Sequence, residues 1–267
     1  MEGDGAVDGD VLIVGAGSMG RWIADAIDAP VAFADVDETA ARSAADATGG
    51  RAVPLETDES FLAVCLAVPM THVAQAIETH APNAERAIFD VSGVMGPALE
   101  AMGTHAADRE RVSLHPLFAP ERAPGSIAIV REQGGPVIDA ICATLEARGN
   151  DLVETTAAEH DGAMETVQAA THAAVLSFAL AAEPVPEGFE TPVYEQLGGL
   201  AELVTGGTPR VYADIQDTFD GADAVADAAR QLASADPDEL EALYREAAAQ
   251  WGQTGTASST HTTETDQ

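Results

Sequence analysis

Short apolar runs alternate with helix-spaced apolar positions along the first half of the chain. Segments with helical spacing cover 18–28 and 38–48, and two more run to about His80 and through Met102. Because strands that alternate with helices form parallel sheets, the pattern predicts a doubly wound, mainly parallel α/β sheet. The apolar runs that predict its strands are 11–17, 31–37, 61–69, 86–93, 112–118 and 125–132.

Beyond residue 155 the apolar positions follow helical spacing almost throughout. Thr156 and Glu159 form the signature of a capping box ahead of a long helix, in which apolar residues recur from Met164 to Phe178. The pattern predicts an all-helical second domain. The expected organisation is a disordered N-terminus (1–9), an α/β domain (10–155), a helical domain (156–252) and a disordered tail (253–267).

A glycine-rich turn joins the first predicted strand to the first predicted helix. Its sequence fits G-x-G-x-x-G, and Asp35 stands at the end of the second predicted strand. In this setting the pattern is the fingerprint of a dinucleotide site, with the helix N-terminus facing the pyrophosphate. A carboxylate at position 35 binds the adenosine ribose and repels a 2′-phosphate, which favours NAD; a flavin or an empty turn are the alternatives. The predicted cofactor-binding residues of this unit are Gly15, Gly17, Ser18, Met19, Gly20 and Asp35.

The chain is strongly acidic. The chain has 12 basic residues, all arginine, against 45 acidic ones, for a net charge of −33. Such an acidic surface argues against nucleic acid as a partner, and it also repels an anionic dinucleotide. At 1 M salt the Debye length falls to about 3 Å, which screens the repulsion. We therefore expect a halophile's cytosol; an ordinary acidic protein is the alternative.

The cysteines and the apolar runs indicate the compartment. Cys65 and Cys142 both lie in apolar runs, which is typical of reduced thiols in a cytoplasmic protein. No run approaches the roughly 18 uninterrupted apolar residues of a membrane span, and the acidic first ten residues are unlike a signal peptide. The sequence shows no zinc cluster, so we expect no metal site.

One histidine, His115, occurs in the apolar stretch SLHPLFAP. Pro116 and Pro120 prevent a helix there, so the imidazole is held where a strand leads into a loop. A neutral imidazole can accept a proton near neutral pH, but a single histidine in an apolar run is more often a packed structural residue, so this stretch alone does not assign His115 a chemical role.

Together these motifs resemble the prephenate dehydrogenase (TyrA-type) family over residues 11 to about 215. The resemblance implies a Rossmann domain, a helical dimerisation domain and a site between them. It implies the NAD-dependent oxidative decarboxylation of prephenate to 4-hydroxyphenylpyruvate, in tyrosine biosynthesis. The motifs are GAGSMGR, LAVP (66–69), DVSGV (90–94), LHPLFAP (114–120), EHDGAMETVQAATH (159–172) and TPRVYADI (208–215).

The resemblance also implies roles for single residues. It places His115 on the ring hydroxyl of the substrate, where the imidazole accepts a proton as hydride leaves. Activity is then expected to fall below about pH 6.5, unless the site shifts the histidine pKa. His172 is expected to bind substrate, with a packed interface histidine as the alternative, and Pro69 to line the nicotinamide pocket. For His160 and Asp161 we expect a structural or hinge role.

Two positions in the DVSGV region depart from the family. Gly93 stands where the family usually has serine, and Met95 where it has lysine. Ser92 is therefore predicted to take over the hydrogen bond of the catalytic serine.

The substrate anchor departs as well. The family has an arginine nine residues before the aromatic residue of the YADI motif, and this chain has Leu203 there. Because arginine grips carboxylates bidentately, Arg210 and Arg122 are the nearest candidates to bind the substrate carboxylate, with backbone N–H groups as the alternative. The Gly198-Gly199 pair resembles a family loop that reaches the partner subunit's site, or it is a plain turn or kink.

Other functions remain open at this point. Arogenate or a related cyclohexadienyl acid is an alternative substrate. The β-hydroxyacid dehydrogenases share the domain plan but use a catalytic lysine, which this chain lacks. A non-catalytic NAD-binding sensor is an alternative of another class, against which His115 and His172 argue. The sequence thus predicts an NAD-dependent oxidoreductase of a small-molecule substrate, and the family resemblance implies a homodimer through the helical domain.

Overall fold

The computed structural model describes residues 9–254, which form one eight-stranded sheet and eleven α-helices. The strands are β1 (Val11–Val14), β2 (Val31–Ala34), β3 (Arg51–Ala52), β4 (Phe61–Leu66), β5 (Ala84–Asp90), β6 (Glu110–Pro116), β7 (Ser126–Gln133) and β8 (Asp151–Glu154). The α-helices are α1 (Ser18–Ala26), α2 (Glu38–Thr48), α3 (Val73–His80), α4 (Gly96–His105), α5 (Pro136–Ala147), α6 (Ala157–Met164), α7 (Thr171–Ala181), α8 (Pro192–Thr205), α9 (Pro209–Thr218), α10 (Gly221–Ser234) and α11 (Pro237–Thr254).

The ends of the chain lie largely outside this description. Of the two segments predicted to be disordered, only Gly9 and residues 253 and 254 are described, and the last two continue α11 beyond the predicted boundary at 252. Between residues 9 and 254, no helix is both long enough and apolar enough to cross a membrane.

The sheet has the order β3-β2-β1-β4-β5-β6-β7-β8. Its first six strands are parallel and follow the order 3-2-1-4-5-6 of doubly wound dinucleotide-binding folds. Strand β7 runs antiparallel to β6, and β8 runs parallel to β7. The predicted fold class, a mainly parallel doubly wound sheet followed by helices, is confirmed.

Helices cover both faces of the sheet. In β1, Ile13 faces the cluster built with α1, α2 and α5, whereas Leu12 faces the cluster built with α3 and α4. This two-sided burial explains why the central strands are continuous apolar runs instead of alternating ones. The second cluster also includes Met164 and Ile215, so the helices after the sheet share its core.

The predicted long helix after Thr156 is divided by a wide π-helical turn. Residues Glu165–Ala170 form this turn between α6 and α7. Gln216 donates a hydrogen bond from Nε2 to the carbonyl oxygen of Ala169 at 2.9 Å. A β-carbon at Gly221 would lie 2.1 Å from the carbonyl oxygen of Glu165, so the start of α10 packs directly on the turn. Turns of this kind occur frequently at functional sites.

Candidate active site

The carboxyl ends of the parallel strands assemble the site. Strand β1 leads into the glycine turn, β4 to Pro69, β5 ends at Asp90, and β6 carries His115 next to its end. Ligands of open α/β sheets bind at this edge, where the strand order reverses between β1 and β4. The sheet therefore brings the predicted cofactor turn and the predicted base to the same side of the molecule.

Two glycines of the turn are required by close backbone packing. Gly15 has φ +105°, and a β-carbon there would lie 2.3 Å from the carbonyl oxygen of Ala67. A β-carbon at Gly20 would lie 2.0 Å from the carbonyl oxygen of Gly15. A side chain at Gly15 would push the turn away from the end of β4, and a side chain at Gly20 would force β1 and α1 apart.

The remainder of the turn is open. A β-carbon at Gly17 would have no neighbour within 4 Å, and no side chain caps α1. The N–H groups at the start of α1, on Ser18 and Met19, are therefore available to a ligand. A helix N-terminus with free amides and an exposed glycine is the arrangement that holds a pyrophosphate.

Asp35 is fixed beside this turn. Its Oδ2 accepts a hydrogen bond from the backbone N–H of Ala16 at 2.7 Å, and its Oδ1 accepts one from the N–H of Asp37 at 2.8 Å. The carboxylate thus stands next to the open turn, in the position that the fingerprint requires for binding a ribose.

His115 lies at the centre of a hydrogen-bonded chain of side chains. Its Nδ1 is 2.8 Å from Nε2 of His160, and Nδ1 of His160 is 2.7 Å from Oδ1 of Asp161. Asp161 also accepts hydrogen bonds from the backbone N–H groups of Met95 (3.0 Å) and Gly96 (2.9 Å). A strand of the sheet and the first helix after the sheet are therefore joined through these three side chains.

Burial and hydrogen bonding set the charges of this chain. Burial, reinforced by the neighbouring His160, lowers the pKa of His115 to about 3. Burial opposes ionisation of Asp161, but the hydrogen bonds from His160, Met95 and Gly96 outweigh it and lower the pKa of the carboxyl group. At neutral pH the site therefore holds a neutral His115 and an ionised Asp161.

The other ring nitrogen of His115, Nε2, faces Gln168 and Gly93. The side-chain nitrogen of Gln168, in the π turn, lies 3.4 Å from Nε2 of His115. A β-carbon at Gly93 would lie 3.6 Å from the same Nε2. Oε1 of Gln168 is buried without a hydrogen-bond partner among the described residues. The region bounded by His115, Gly93 and Gln168, called the recess below, thus contains an unpaired polar atom.

His172 lies four residues after Gln168, at the start of α7. Its ring packs edge-on against Tyr212 with centroids 4.8 Å apart, and its Nδ1 is buried without a partner in the described structure. Burial lowers the pKa of His172, so it too is neutral at neutral pH. The packing against Tyr212 and the unpartnered Nδ1 match both sequence interpretations, the interface histidine and the substrate ligand.

The hydroxyl group of Ser92 makes its hydrogen bonds with groups other than His115. It hydrogen bonds with Oδ2 of Asp90 and with the carbonyl oxygen of Val94, and no hydrogen bond joins it to His115 within residues 9–254. Burial raises the pKa of Asp90 to about 6, although the hydrogen bonds from Ser92 oppose this shift. In this structure Ser92 supports the buried end of β5.

The two candidate arginines are on the surface. Nε of Arg210 pairs with Oδ1 of Asp214 at 2.8 Å, and the Arg210 side chain is 65% exposed. Arg122 is exposed at the end of a short 3₁₀ helix (Pro120–Arg122), and Leu203 is half exposed on α8. No hydrogen bond or ion pair links either guanidinium to His115 or His172 in the described part of the chain.

Two further predictions concern single positions. Pro69 is exposed at the carboxyl end of β4, where it precedes a short 3₁₀ helix (Met70–His72). Gly198 and Gly199 lie inside α8, so the prediction of a turn or loop there is wrong. The flanking sequence PVYEQL…LAELVT has helical spacing strong enough to include both glycines.

The chemistry available at this site comes from histidines and backbone amides. Among the described residues, no cluster of three or more histidine, cysteine or acidic side chains is arranged to hold a metal ion. What the site offers is a neutral imidazole with one ring nitrogen facing a recess, at the same sheet edge as a dinucleotide-type turn. Such a pair suits the removal of a hydride and a proton from one carbon–heteroatom group.

Known proteins resemble both the sequence and the fold. The chain is 31% identical over 179 residues to 4-amino-4-deoxyprephenate dehydrogenase of Streptomyces pristinaespiralis, a match that covers 62% of this chain and 59% of that protein. The chain thus matches about three fifths of the length of this curated relative. No protein-family profile matches the chain.

Solved structures extend the likeness over the whole fold. The prephenate dehydrogenase of Aquifex aeolicus, solved with hydroxyphenyl propionate and NAD+, superposes with a TM-score of 0.65 at 15% identity, over 92% of this chain and 98% of that one. The arogenate dehydrogenase of Synechocystis superposes with a TM-score of 0.56 at 15% identity, over 92% and 99% of the two chains.

The sheet order and the glycine turn define a Rossmann-type dinucleotide-binding fold that is followed by helices. Within that class, the sequence relative confirms the predicted resemblance to the TyrA-type prephenate dehydrogenase family, and the solved structures share the fold.

Proposed function

We propose that the protein is an NAD-dependent dehydrogenase that oxidatively decarboxylates a prephenate-type cyclohexadienyl acid. The observation that carries the proposal is His115, a neutral imidazole at the carboxyl end of β6 whose Nε2 faces the recess beside Gln168 and Gly93. It lies at the sheet edge that also holds the glycine turn. The dehydrogenase relatives support this reaction class.

NAD fits the residues of the turn. The open backbone at Gly17 and the uncapped start of α1 would receive its pyrophosphate, and Asp35 would bind the adenosine ribose. The carboxylate of Asp35 would repel a 2′-phosphate, which favours NAD over NADP. When bound, NAD+ supplies the acceptor for the hydride. Pro69, at the end of β4, is the residue proposed to border the nicotinamide.

The reaction of prephenate follows from the position of the imidazole. Nε2 of His115 accepts the proton of the C4 hydroxyl group while the hydride leaves C4, and a carbonyl group forms there. The bond from the ring to its carboxylate then breaks, its electron pair completes the aromatic ring, and CO2 leaves. His115 returns its proton to the ring oxygen. The substrate is oxidised by two electrons, NAD+ is reduced to NADH, and the base is regenerated.

A second candidate substrate is 4-amino-4-deoxyprephenate, which the name of the Streptomyces relative favours. An amino group at C4 is protonated near neutral pH, so His115 would first remove a proton from the ammonium group. The nitrogen lone pair would then assist the departure of the hydride. Arogenate is a third candidate, since it differs from prephenate only in the side chain remote from C4.

The deciding experiment is to incubate the purified protein with NAD+ and each of the three acids in molar KCl. NADH absorbance and chromatography of the aromatic product are both recorded. We expect one acid to yield NADH and an aromatic product in equal amounts, and His115→Asn to abolish turnover while it retains NAD binding. Binding of NAD without turnover of any of the acids would refute the proposal and support the non-catalytic sensor.

We propose further that two copies associate through the helices after the sheet. Exposed apolar side chains are concentrated there, among them Leu180 (87% exposed), Phe189 (75%) and Val193 (68%). Exposed apolar side chains that are concentrated in one part of a molecule are typical of protein interfaces. A Gly-containing helix, α8, forms part of this surface.

We also propose that the protein works in a cytoplasm with high salt. The net charge of −33 needs screening for an anionic cofactor and substrate to approach. Both cysteines are buried as free thiols in the described structure, as expected for a reducing compartment.

A further inference from the structure

We propose that His160 and Asp161 are positioning residues that fix His115 in one tautomer, with its proton on Nδ1 and its lone pair on Nε2 facing the recess. The catalytic consequence of this arrangement rests on the proposed function, but the tautomer itself does not. The inference replaces the structural or hinge role that the sequence predicts for this pair with a chemical one.

Asp161 determines which group donates and which accepts in each of these hydrogen bonds. Its two carboxylate oxygens accept the backbone N–H groups of Met95 and Gly96, and backbone amides donate only. These two contacts hold Asp161 as an acceptor, so the nitrogen of His160 that faces it must carry a proton. His160 is therefore the donor toward Asp161.

The position of the proton on His160 in turn determines the position of the proton on His115. The proposal assigns His160 the neutral state, in which a proton on Nδ1 leaves a lone pair on Nε2. The amide nitrogen of Gln168, which only donates, lies 3.4 Å from Nε2 of His115 and agrees with a lone pair there. That lone pair lies 2.8 Å from Nδ1 of His115, which must then carry the proton that fills the contact. The remaining lone pair of His115 is on Nε2, the nitrogen beside Gly93 and Gln168.

This tautomer decides whether His115 works as a base. With the proton on Nε2, the ring would present a donor to the substrate hydroxyl and could not accept its proton. Which nitrogen of a histidine is protonated is set by the hydrogen bond that the other nitrogen makes. In serine proteases the equivalent task falls to a single aspartate, and its amide variant lowers kcat by about 10⁴ because the tautomer is wrong.

The hydrogen-bond partners of His160 separate this role from simple packing. His160 is only 3% exposed and uses both ring nitrogens, one on Asp161 and one on His115. Asp161 alone satisfies the amides at the start of α4, so His160 is not needed for that contact. Within this series of hydrogen bonds, His160 is needed for the contact that reaches His115.

Two substitutions of His160 distinguish a residue that fixes the tautomer of His115 from one that only packs. His160→Gln keeps a side-chain donor and acceptor, whereas His160→Leu has similar bulk and neither. The test is long-range ¹H–¹⁵N NMR on full-length protein with ¹⁵N-labelled histidine, in which His115→Asn identifies the His115 signals. Thermal unfolding checks that each variant is folded, and kcat and KM are measured with the acid that the protein turns over.

We expect the wild-type spectrum to show neutral His115 protonated on Nδ1, and His160→Leu to lose this preference. The same variant should lower kcat by roughly 10²–10⁴-fold with much smaller changes in KM, and His160→Gln should recover part of the loss. A wild-type His115 protonated on Nε2, or a folded His160→Leu protein with normal kcat, would overturn the proposal. The wild-type spectrum decides the tautomer even if a variant fails to fold, or if none of the acids is turned over.

Discussion

The α-carbon of Gly93 faces Nε2 of His115 so closely that a β-carbon at this position would lie 3.6 Å from the ring nitrogen. The same β-carbon would lie 2.7 Å from the terminal methyl of Met70, a flexible group that can move aside. Gly93 therefore keeps the approach to the proposed base clear.

Gly93→Val should fill this approach and lower kcat/KM on the order of 10²-fold, because misplacing the reacting group by about 1 Å costs that much. NAD affinity should be retained, since the glycine turn is on other strands. Steady-state kinetics and NAD titration check this. The matched control is Gly134→Val, at an exposed position where a β-carbon meets no atom within 4 Å, and it should be neutral. Equal activity of both variants would contradict the placement of substrate beside Gly93.

The pKa of His115 predicts the acid side of the activity profile. Because burial lowers it to about 3, the imidazole stays a neutral base well below its ordinary value of 6.5. The sequence predicts a fall in activity below about pH 6.5 unless the site shifts the pKa of His115. With the shifted pKa, we expect kcat/KM to show no inflection from His115 down to about pH 5. A single ionisation near 6.5 that disappears in His115→Gln would refute this prediction.

The same shift has a consequence for stability. A lowered folded-state pKa means that below pH 6.5 the unfolded chain binds the proton and the folded one does not. The free energy of unfolding should therefore decrease as the pH falls from about 6.5 toward 3, by up to ~1.4 kcal/mol per unit. Urea unfolding at several pH values should show a shallower dependence for His115→Gln.

Much of the fold could be predicted because its strands are continuous apolar runs and its turn glycines have fixed spacing. The exceptions have physical causes: β3 is two exposed residues, and β8 pairs at the edge of the sheet with mostly exposed side chains, so neither produces an apolar run. The π turn was predicted as part of a continuous helix because its stabilising contacts, from Gln216 and Gly221, come from later in the chain.

The candidate site could be predicted only in part. Spacing placed the glycine turn and Asp35, since both belong to one local βαβ unit. The contact between His115 and His160 joins residues 45 positions apart, and no local pattern indicates it. The motif EHD marks the segment in the sequence. Its adjacent histidine and aspartate were the available signal that the pair could fix the protonation of a nearby base.

Gly221→Ala should destabilise the protein by about 1–3 kcal/mol, the usual cost of forcing an extra methyl into a packed site. The new β-carbon would meet backbone atoms of the π turn, at 2.1 Å from Glu165 O and 2.5 Å from Ala170 N, and these cannot rotate away. Urea unfolding measures the loss. Gly252→Ala, in α11 with no neighbour within 4 Å of its β-carbon, is the control and should not lower stability.

Salt should increase both stability and cofactor affinity. At 0.1 M salt the Debye length is about 10 Å, so the excess carboxylates repel one another and the cofactor, whereas at 1 M it is about 3 Å. We expect a higher Tm and a lower KM for NAD+ in molar KCl than in dilute buffer. Activity that is highest in dilute buffer and declines steadily with added KCl would contradict the halophilic assignment.

The protein should be a dimer in light scattering at high salt. Leu180→Arg, on the exposed apolar surface of α7, should shift the mass toward the monomer because an unpaired charge is costly in an interface. Val153→Arg, on the exposed edge strand β8, is the control and should remain dimeric. A monomeric wild-type protein would refute the assembly.

Asp161 joins the two ends of a long stretch of chain: its carboxylate completes the amino end of α4, 65 residues earlier, while its neighbour His160 reaches back to β6. During synthesis, strand β6 and its histidine emerge well before α6. A nascent chain that has formed only the sheet lacks the connection that would arrange the imidazole for proton transfer. The proposed orientation of the imidazole therefore depends on the docking of α6 against the sheet, and formation of the sheet alone does not provide it.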